Sequence, residues 1–433
     1  MARILEIYAR EVLDSRGNPT LEVQVTLEDG ARGVAIVPVG ASTGTHEAEE
    51  LRDGELNRYG GMGVVKAVRN VEREIPQVLV GLEAADQTLV DDTLIQFDQT
   101  PNKRRLGANA VLGVSLAVAR AAANSARLPL YRYLGGAAAN ELPVPMVNIM
   151  SGGIHGGGNI DFQDFMLVPL RAGTYSQALA DVNAVYRAAK TVLKDRGVYR
   201  AGVADEGGYA PALETNESGF DVMVEAMERA GLEPGRDAAI AVDVAASHFC
   251  ERGNYCLRVS DEELDADDMV ERLANCVDRY PILSIEDGLD EEDWEGWKSL
   301  TDRLGDRCQL IGDDLFVTHP VRLERGIEEG IANAILVKIN QIGTLTETLD
   351  VISLALRNGY QPVISARSGE TEDDFIADLV VATGASLVKI GAITRSERLA
   401  KYNRLKRIEQ ELGSHALYRG AEVFSTLLEV KPG

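Results

Sequence analysis

The chain of 433 residues contains little cysteine. Its only four copies are Cys250, Cys256, Cys276 and Cys308, and their spacing matches neither a zinc site nor a redox CxxC motif. We therefore predict ordinary reduced thiols that carry no function.

Long hydrophobic runs are missing as well. No apolar stretch reaches the roughly 18 residues that a membrane-spanning helix needs. The strand-like segment Ile4–Tyr8 follows Met1 almost directly, without the charged, apolar and small-residue pattern of a signal sequence. These absences predict a cytoplasmic protein.

Positive charge is in deficit. Lys and Arg number 44 against 68 Asp and Glu, which gives a formal net charge of −24. An acidic surface of this size repels nucleic acid and anionic membranes, so neither is an expected partner. If the substrate is an anion, the positive charge that binds it must be concentrated locally.

The rest of the composition is that of a soluble globular protein. Hydrophobic residues make up 45 % and charged residues 26 % of the chain, close to the average, so disordered, collagen-like and coiled-coil proteins are excluded. At about 150 residues per domain, the length predicts two or three domains.

The N-terminal part, residues 1–135, predicts a compact α+β domain. Apolar residues alternate from Leu21 to Leu27, Asp29-Gly30 is typical of a hairpin turn, and Gly33–Val37 is a second β-type run. Helices are expected over Val64–Leu79 and from Asn109, as N-cap, to about Ala126. Together these patterns indicate an antiparallel meander followed by helices.

Residues 140–433 show the rhythm of a (β/α) barrel. Six β-type runs each end in a polar or charged residue, 22 to 43 residues after the previous one. Because the carboxyl ends of barrel strands form one face, these end residues are expected to converge on one cavity. The six runs are Ala239–Asp243, Ile282–Glu286, Leu310–Asp313, Ala334–Lys338, Val363–Arg367 and Leu387–Lys389.

Three of the strand ends are acidic: Asp243, Glu286 and Asp313. Three carboxylates in one cavity need a cation to offset their repulsion, and an oxygen-only ligand set suits Mg²⁺. The alternative is three helix N-caps without a metal. Lys338 and Lys389 follow on later strands, where each is either a catalytic group or a salt-bridge partner.

Two glycine-rich segments are further candidates. Glu206 precedes Gly207-Gly208, and His155 is the centre of a loop over residues 151–158. Glycine lets the backbone approach a ligand, although an ordinary turn has the same composition. Neither segment has a P-loop or dinucleotide-binding pattern. The remaining histidines, His46, His248, His319 and His415, are expected to be solvated or to cap helices.

With these motifs taken together, the chain resembles enolases along almost its whole length. The resemblance implies an α/β protein in which an N-terminal α+β capping domain precedes a modified (β/α)8 TIM-type barrel. It also implies Mg²⁺ dependence and a homodimer or an assembly of dimers. The motifs are residues 14–20, 40–44, 205–208, 284–287, 312–314, 338–343, 367–373 and 395–398.

The resemblance also assigns roles to single residues. It implies that Asp243, Glu286 and Asp313 bind a first Mg²⁺ and that Ser42 binds a second. Lys338 is implied as the base that removes the C2 proton of 2-phosphoglycerate, a small phosphorylated three-carbon acid, and Lys389 as a partner of the substrate carboxylate. Arg367 and Ser368 match the phosphate-binding pair, His155 the loop histidine, and Glu206 the acid that helps the C3 hydroxyl leave.

The chain departs from the enolase pattern near the departing hydroxyl. Ala366 replaces a histidine, and Gln163-Asp164 replaces Gln-Glu in the part of the site that binds substrate. Nearby, Ser151 replaces an asparagine and His248 a glutamate. Because Asp is one methylene shorter than Glu, its carboxylate is withdrawn by roughly 1.5 Å, and a displacement of about 1 Å can cost a hundredfold in rate.

Three functions stay open from the sequence. The altered site resembles the carboxyphosphonoenolpyruvate synthases of phosphinothricin biosynthesis, an enolase-like group, which implies a nucleotide-activated phosphonoformate such as cytidylyl-phosphonoformate as second substrate. The first alternative is phosphopyruvate hydratase activity, the ordinary enolase reaction. The second is a non-catalytic enolase-like binding or structural protein.

Overall fold

The computed structural model describes residues 2–40 and 44–428. Ser42, the predicted ligand of a second Mg²⁺, lies outside these residues. Within them, no helix combines the length and the apolarity that crossing a bilayer requires.

The N-terminal region is an antiparallel sheet covered by helices. The strands are β1 (Ile4–Leu13), β2 (Pro19–Leu27) and β3 (Arg32–Ile36), in the order β1-β2-β3. The predicted meander is therefore confirmed. The helices are α1 (Val65–Arg69), α2 (Pro76–Leu79), α3 (Gln87–Asp98), α4 (Ala108–Ser125) and α5 (Leu130–Gly135).

Helix α4 is the core of this region. It packs directly on the sheet because β3 carries Gly33, where a Cβ atom would lie 2.1 Å from the Ala117 carbonyl oxygen. The predicted N-cap at Asn109 is wrong: the helix begins at Ala108, and the Asn109 side chain accepts the Leu51 amide instead.

The helical segment predicted over Val64–Leu79 is confirmed from Val65 onward, with one irregular turn. The segment divides into α1, a π-type turn at Asn70–Glu74, and α2. Pro76 is the first residue of α2, and proline is tolerated at the start of a helix but not inside one.

The rest of the chain alternates strands with helices. The strands are β4 (Glu141–Leu142), β5 (Val144–Ser151), β6 (Asp164–Pro169), β7 (Ala238–Asp243), β8 (Cys250–Glu251), β9 (Asn254–Leu257), β10 (Glu262–Leu264), β11 (Ile282–Glu286), β12 (Gln309–Gly312), β13 (Ala334–Val337), β14 (Gln361–Ser365), β15 (Leu387–Gly391) and β16 (Leu417–Tyr418). The helices are α6 (Tyr175–Asp195), α7 (Glu217–Arg229), α8 (Ala266–Arg279), α9 (Trp294–Leu304), α10 (Pro320–Glu329), α11 (Ile339–Ile342), α12 (Leu345–Arg357), α13 (Phe375–Thr383), α14 (Ser396–Leu412) and α15 (Ser425–Leu428).

Eight of these strands close into a barrel, in the order β11-β12-β13-β14-β15-β5-β6-β7. The predicted modified barrel is confirmed. Strand β6 runs antiparallel to both of its neighbours, β5 and β7, while the other pairs are parallel. The sequence pattern did not reveal β5 and β6, whose residues are buried along their whole length and do not alternate with polar ones.

The reversed strand places its first residue at the end of the barrel where the parallel strands have their carboxyl ends. Asp164 begins β6 and pairs in register with Ser151, at the end of β5, and with Asp243, at the end of β7. Asp243 in turn pairs with Glu286 at the end of β11. Four polar residues therefore lie side by side across four neighbouring strands.

Candidate active site

A cavity of about 550 Å³, including its open mouth, lies at the carboxyl ends of the parallel barrel strands. Many of the predicted site residues line it, although they are distant in sequence. The described lining residues are His155, Gln163, Glu206, Asp243, Ala245, His248, Asp287, Asp313, Asp314, Lys338, Ser365, Ala366, Arg367, Ser368, Lys389 and Ile390.

One group of site residues, here called the lysine side, consists of the cavity-lining Asp243, Asp313, Lys338 and Lys389 and of Glu286, which contacts Lys389. Lys389 Nζ lies 2.8 Å from Asp243 Oδ2 and 2.7 Å from Glu286 Oε1. Lys338 Nζ forms an ion pair with Asp313 Oδ2. The two lysines therefore differ: Lys389 is fixed between two carboxylates, and Lys338 contacts one.

These ion pairs control which groups carry charge. Burial opposes the charged form of Lys389, but Asp243 and Glu286 outweigh it and raise the pKa of the lysine well above its ordinary value. Burial also opposes ionisation of Asp243, but Lys389 lowers its pKa, whereas burial and Asp243 raise the pKa of Glu286. The pKa values of the two neighbouring acids therefore shift in opposite directions, as expected when like charges share one site.

The lysine side fits a hard divalent cation by the chemistry of its donors. Three carboxylates against two ammonium groups leave a net negative charge, which a cation would offset. Gln163 adds a buried oxygen, Oε1, that accepts no hydrogen bond from the described residues, while its Nε2 donates to Asp243 at 3.2 Å. An amide oxygen beside carboxylates is a suitable ligand for Mg²⁺.

Among the described residues, two groups of three side chains bring possible metal-ligating atoms within 4.8 Å of one another, and neither is the predicted triad: one is Asp287, Asp313 and Asp314, and the other is His155, Asp164 and Glu206. Of the triad, only Asp313 belongs to either group, because Lys389 lies between the other two carboxylates. Asp243, Glu286 and Asp313 as ligands of one ion therefore stay a prediction.

Asp287 holds the ends of two strands together. Its carboxylate accepts the backbone amides of Asp313 and Asp314, each at 2.9 Å. Burial and the negative charge of Asp314 raise the pKa of Asp287 well above its ordinary value. Burial and Asp313 raise the pKa of Asp314 to about 7. The sequence analysis missed both acids, although each directly follows a predicted strand-end acid.

The predicted phosphate-binding residues are anchored from two sides. Arg367 Nη1 lies 2.9 Å from Glu47 Oε2, which comes from the N-terminal region, and 2.9 Å from Asn340 Oδ1. The fully buried Arg398 donates from Nη2 to the Ser368 carbonyl at 2.6 Å. The N-terminal region thus contacts the cavity-lining Arg367 through Glu47, and Arg398 of α14 holds the backbone of Ser368.

A second group of site residues, here called the histidine corner, consists of Asn148, Ser151, His155 and Asp164, together with Ala366, which follows β14. His155 Nδ1 lies 3.1 Å from Asp164 Oδ2, and Ser151 Oγ donates to Asp164 Oδ1 at 2.9 Å. Burial opposes the charged imidazole, but Asp164 outweighs it and raises the pKa of His155 to about 9. Ala366 lines the cavity with a methyl group.

Most predicted site residues meet in one place. Those that line the cavity are His155, Gln163, Glu206, Asp243, Asp313, Lys338, Ala366, Arg367, Ser368 and Lys389. Asp164 and Glu286 are not among the described lining residues; they contact the cavity-lining His155 and Lys389, respectively. The roles assigned to all of these residues stay predictions.

His248 was expected to be solvated or to cap a helix, and this is wrong. It lines the cavity, and its buried Nδ1 has no hydrogen-bond partner among the described residues. Ala245 adopts a left-handed φ of 50°, from which a 3-10 turn over Ala246–Phe249 brings His248 to the cavity wall. The departure from the enolase pattern at this position was the available signal. His319, by contrast, caps helix α10 as expected.

Comparison with known families supports what the fold and the site indicate. The model described as "Enolase, N-terminal domain" matches residues 4–134, and the model described as "Enolase, C-terminal TIM barrel domain" matches residues 139–427. The chain belongs to the enolase family. The predicted boundary between residues 135 and 140 stays a prediction.

Proposed function

We propose that this enolase-family protein is an Mg²⁺-dependent enzyme that forms an enolate species from a small phosphorylated three-carbon acid. We further propose that it joins this species to a nucleotide-activated phosphonoformate, as a carboxyphosphonoenolpyruvate synthase does. The observation that carries the proposal is the contrast between the two groups of site residues. The lysine side has all the charged residues of the enolase pattern, whereas the histidine corner departs from that pattern at Ala366, Asp164 and Ser151.

Lys338 is the proposed base for the C2 proton. It lines the cavity and has one carboxylate partner among the described residues, whereas Lys389 is fixed between two. A proton beside a carboxylate is very weakly acidic, so the base needs an electrostatic partner that stabilises the charge left behind. Lys389, kept charged by its neighbours, supplies that positive charge.

Bound Mg²⁺ would add positive charge beside the substrate carboxylate and so stabilise the charge that develops there. Asp243, Glu286 and Asp313 are the residues proposed to hold it, with Ser42 at a second ion. Arg367 and Ser368 are proposed to bind the substrate phosphate, because a guanidinium matches the geometry of phosphate oxygens.

We propose that the altered histidine corner admits a second substrate. Ala366 lines the cavity with a methyl group, and Asp164 is fully buried beside His155 rather than exposed to the cavity. We propose that the phosphonoformate binds beside Ala366. In the proposed transfer, the oxygen of an enolpyruvate that carries no phosphate forms a bond to the phosphorus of the phosphonoformate, the phosphorus–oxygen bond to the nucleotide breaks, and the nucleotide monophosphate leaves. To reach that enolpyruvate from 2-phosphoglycerate, the C3 hydroxyl must leave as water and the C2 phosphate ester must be hydrolysed to inorganic phosphate.

Phosphopyruvate hydratase is the second candidate function, and Glu206 is the observation that favours it. This carboxylate lines the cavity and is only 6 % exposed. Burial opposes its ionisation, but His155 outweighs it and lowers the pKa of Glu206. A carboxylate near a departing hydroxyl is what water elimination requires.

Phosphorus NMR tests the proposal most directly. Wild-type protein with Mg²⁺ and 2-phosphoglycerate is followed with and without cytidylyl-phosphonoformate, and Lys338→Ala is the control for lysine-dependent chemistry. We expect a new phosphorus signal only with both substrates. Rapid conversion to phosphoenolpyruvate without the second substrate would instead establish the hydratase. If the spectra stay unchanged and neither Mg²⁺ nor phosphoenolpyruvate raises the melting temperature, the protein is non-catalytic.

The proposed assembly is a homodimer or an assembly of dimers, as the family resemblance implies. Size-exclusion chromatography with light scattering measures the mass of the assembly, and the single chain is 46.8 kDa. A mass equal to that of one chain across the working concentration range would contradict this proposal.

A further inference from the structure

The Asp164 carboxylate is surrounded by hydrogen-bond donors from the neighbouring strand β5 and from the loop that follows it. Oδ1 accepts from Asn148 Nδ2 and from Ser151 Oγ, and Oδ2 lies 3.1 Å from His155 Nδ1. The side chain is completely shielded from solvent. Both carboxylate oxygens are therefore already engaged by the protein.

The strand arrangement explains why Asp164 does not enter the cavity. Asp164 is paired in register between Ser151 and Asp243, within the wall of the barrel. Among the described residues that line the cavity, its neighbour Gln163 and its partner His155 are present but Asp164 is not. Asp164 thus lies one layer behind the histidine.

The group is held from behind by the glycine-rich segment at residues 205–208. A Cβ atom at Gly208 would lie 2.6 Å from Asn148 Oδ1 and 2.9 Å from Ser151 Oγ. In addition, the Ser151 amide donates to the Tyr209 carbonyl at 2.8 Å. The two donors of Asp164 are consequently packed in place, and their positions depend on glycine at 208.

The contact with Asp164 determines which ring nitrogen of His155 is left for a molecule in the cavity. Because Nδ1 faces a carboxylate, Nδ1–H donates to Asp164, and Nε2 is the ring nitrogen left for a molecule in the cavity. The basic groups that line the same cavity are His248, Lys338, Arg367 and Lys389, and the acidic groups that act most strongly on the ring are Asp164, Glu206 and Asp243. The combined field of these three acids favours the doubly protonated ring, whose Nε2–H is a charge-assisted donor.

We propose that Asp164 is a positioning residue, which together with Asn148 and Ser151 fixes His155 so that its Nε2–H binds an anionic oxygen of the substrate. Asp164 itself does not touch the substrate. The inference rests on the proposed function only for the nature of the anion, which is a carboxylate, phosphate or phosphonate oxygen.

Histidine-selective ¹⁵N NMR in the presence of Mg²⁺ tests the positioning without any substrate. The protein has five histidines, and His155→Gln identifies the signal that belongs to His155. We expect Asp164→Asn to lower the titration midpoint of His155 from about 9 towards the ordinary value, roughly 6.5. Ser151→Ala should shift the midpoint in the same direction by less.

Ser284→Ala is the matched control, because Ser284 is also buried on a barrel strand and donates to Gln309 Oε1. It should leave the His155 midpoint in place. An unchanged midpoint in folded Asp164→Asn would overturn the proposal. If Asp164→Asn does not fold, Ser151→Ala decides: a His155 midpoint and ring shifts identical to wild type would overturn it.

Calorimetric binding of phosphoenolpyruvate with Mg²⁺ separates positioning from direct contact. Asp164→Asn and His155→Gln should each weaken binding on the order of tenfold, as expected for loss of one charge-assisted hydrogen bond. The double variant should bind no more weakly than His155→Gln alone. Additive losses would show that Asp164 acts independently and would contradict the proposal. If wild type does not bind the probe, the proposed function fails, while the NMR result still decides the positioning.

Discussion

Buried charge is balanced in different ways on the lysine side and in the histidine corner. On the lysine side, Lys389 and Lys338 neutralise carboxylates from three different strands. In the histidine corner, neutral donors and a single imidazole hold Asp164. Groups that depend on one another for charge balance are hard to change singly. The contrast teaches that the charged groups of the lysine side depend on one another, whereas residues of the histidine corner can vary without breaking those ion pairs.

The largest expected effect is the loss of the base. Lys338→Ala should reduce exchange of the C2 hydrogen of 2-phosphoglycerate with solvent by a factor on the order of 10³ to 10⁴, because general-base catalysis contributes about that much. Deuterium incorporation measured by proton NMR gives the rate. The control is Lys298→Ala, which removes an exposed lysine paired with Asp302 and should exchange normally. Wild-type exchange in Lys338→Ala would refute the assignment of the base.

Removal of a proposed metal ligand should be nearly as severe. Asp313→Asn should abolish Mg²⁺-dependent exchange and the rise in melting temperature that Mg²⁺ produces, because stabilisation by a ligand depends on its affinity for the folded state. Thermal unfolding with and without Mg²⁺ measures this effect. Asp302→Asn, an exposed carboxylate, is the control. If Asp313→Asn is stabilised by Mg²⁺ as strongly as wild type, the ligand assignment is wrong.

A gain of water-eliminating activity would sharpen the contrast between the lysine side and the histidine corner. Ala366→His combined with Asp164→Glu should restore a donor and extend a carboxylate into the cavity, and should raise conversion of 2-phosphoglycerate to phosphoenolpyruvate above either single variant. Since the two residues would act as one unit, their effects should not add. The rise in ultraviolet absorbance measures the product. A double variant no faster than wild type would contradict the importance of this corner.

The smallest expected effect is on stability. The pKa of His155 is raised to about 9 in the folded protein, so its favourable contribution should be complete below about pH 6.5 and lost as the pH rises through 9. Wild type should therefore exceed His155→Gln by up to about 3 kcal/mol in unfolding free energy at low pH. Urea titrations at pH 6 and pH 9.5 measure the difference. A difference that is equal at both pH values would contradict the charge interaction.

The fold could be predicted to a large extent because it depends on local patterns. Alternation gave the meander, and the spacing of apolar runs predicted the barrel whose strand β11 begins and ends where expected, at Ile282 and Glu286. The reversal of β6 could not be predicted, because a fully buried strand has the same apolar pattern in either direction. Its direction determines that Asp164 lies at the end of the barrel where the parallel strands have their carboxyl ends.

The residues of the site could be predicted where they follow a predicted strand. The contacts between segments that are distant in sequence could not. Asp243 and Lys389 could be placed from strand ends alone. The contact of Glu47 with Arg367 could not, because it joins residues 320 positions apart across two regions of the chain. The hydrogen bonds that withdraw Asp164 from the cavity depend on the register of β5 with β6, which the composition of the two strands does not specify.

The central claim is that this protein keeps the proton-removing half of the site and has altered the half that releases water. The most direct test measures both halves in one sample: wild-type protein with Mg²⁺ and 2-phosphoglycerate in deuterium oxide, with C2 exchange followed by NMR and phosphoenolpyruvate by absorbance. The account predicts exchange that clearly outpaces phosphoenolpyruvate formation. Elimination that keeps pace with exchange at an ordinary enzymatic rate, on the order of tens per second or faster, would contradict it.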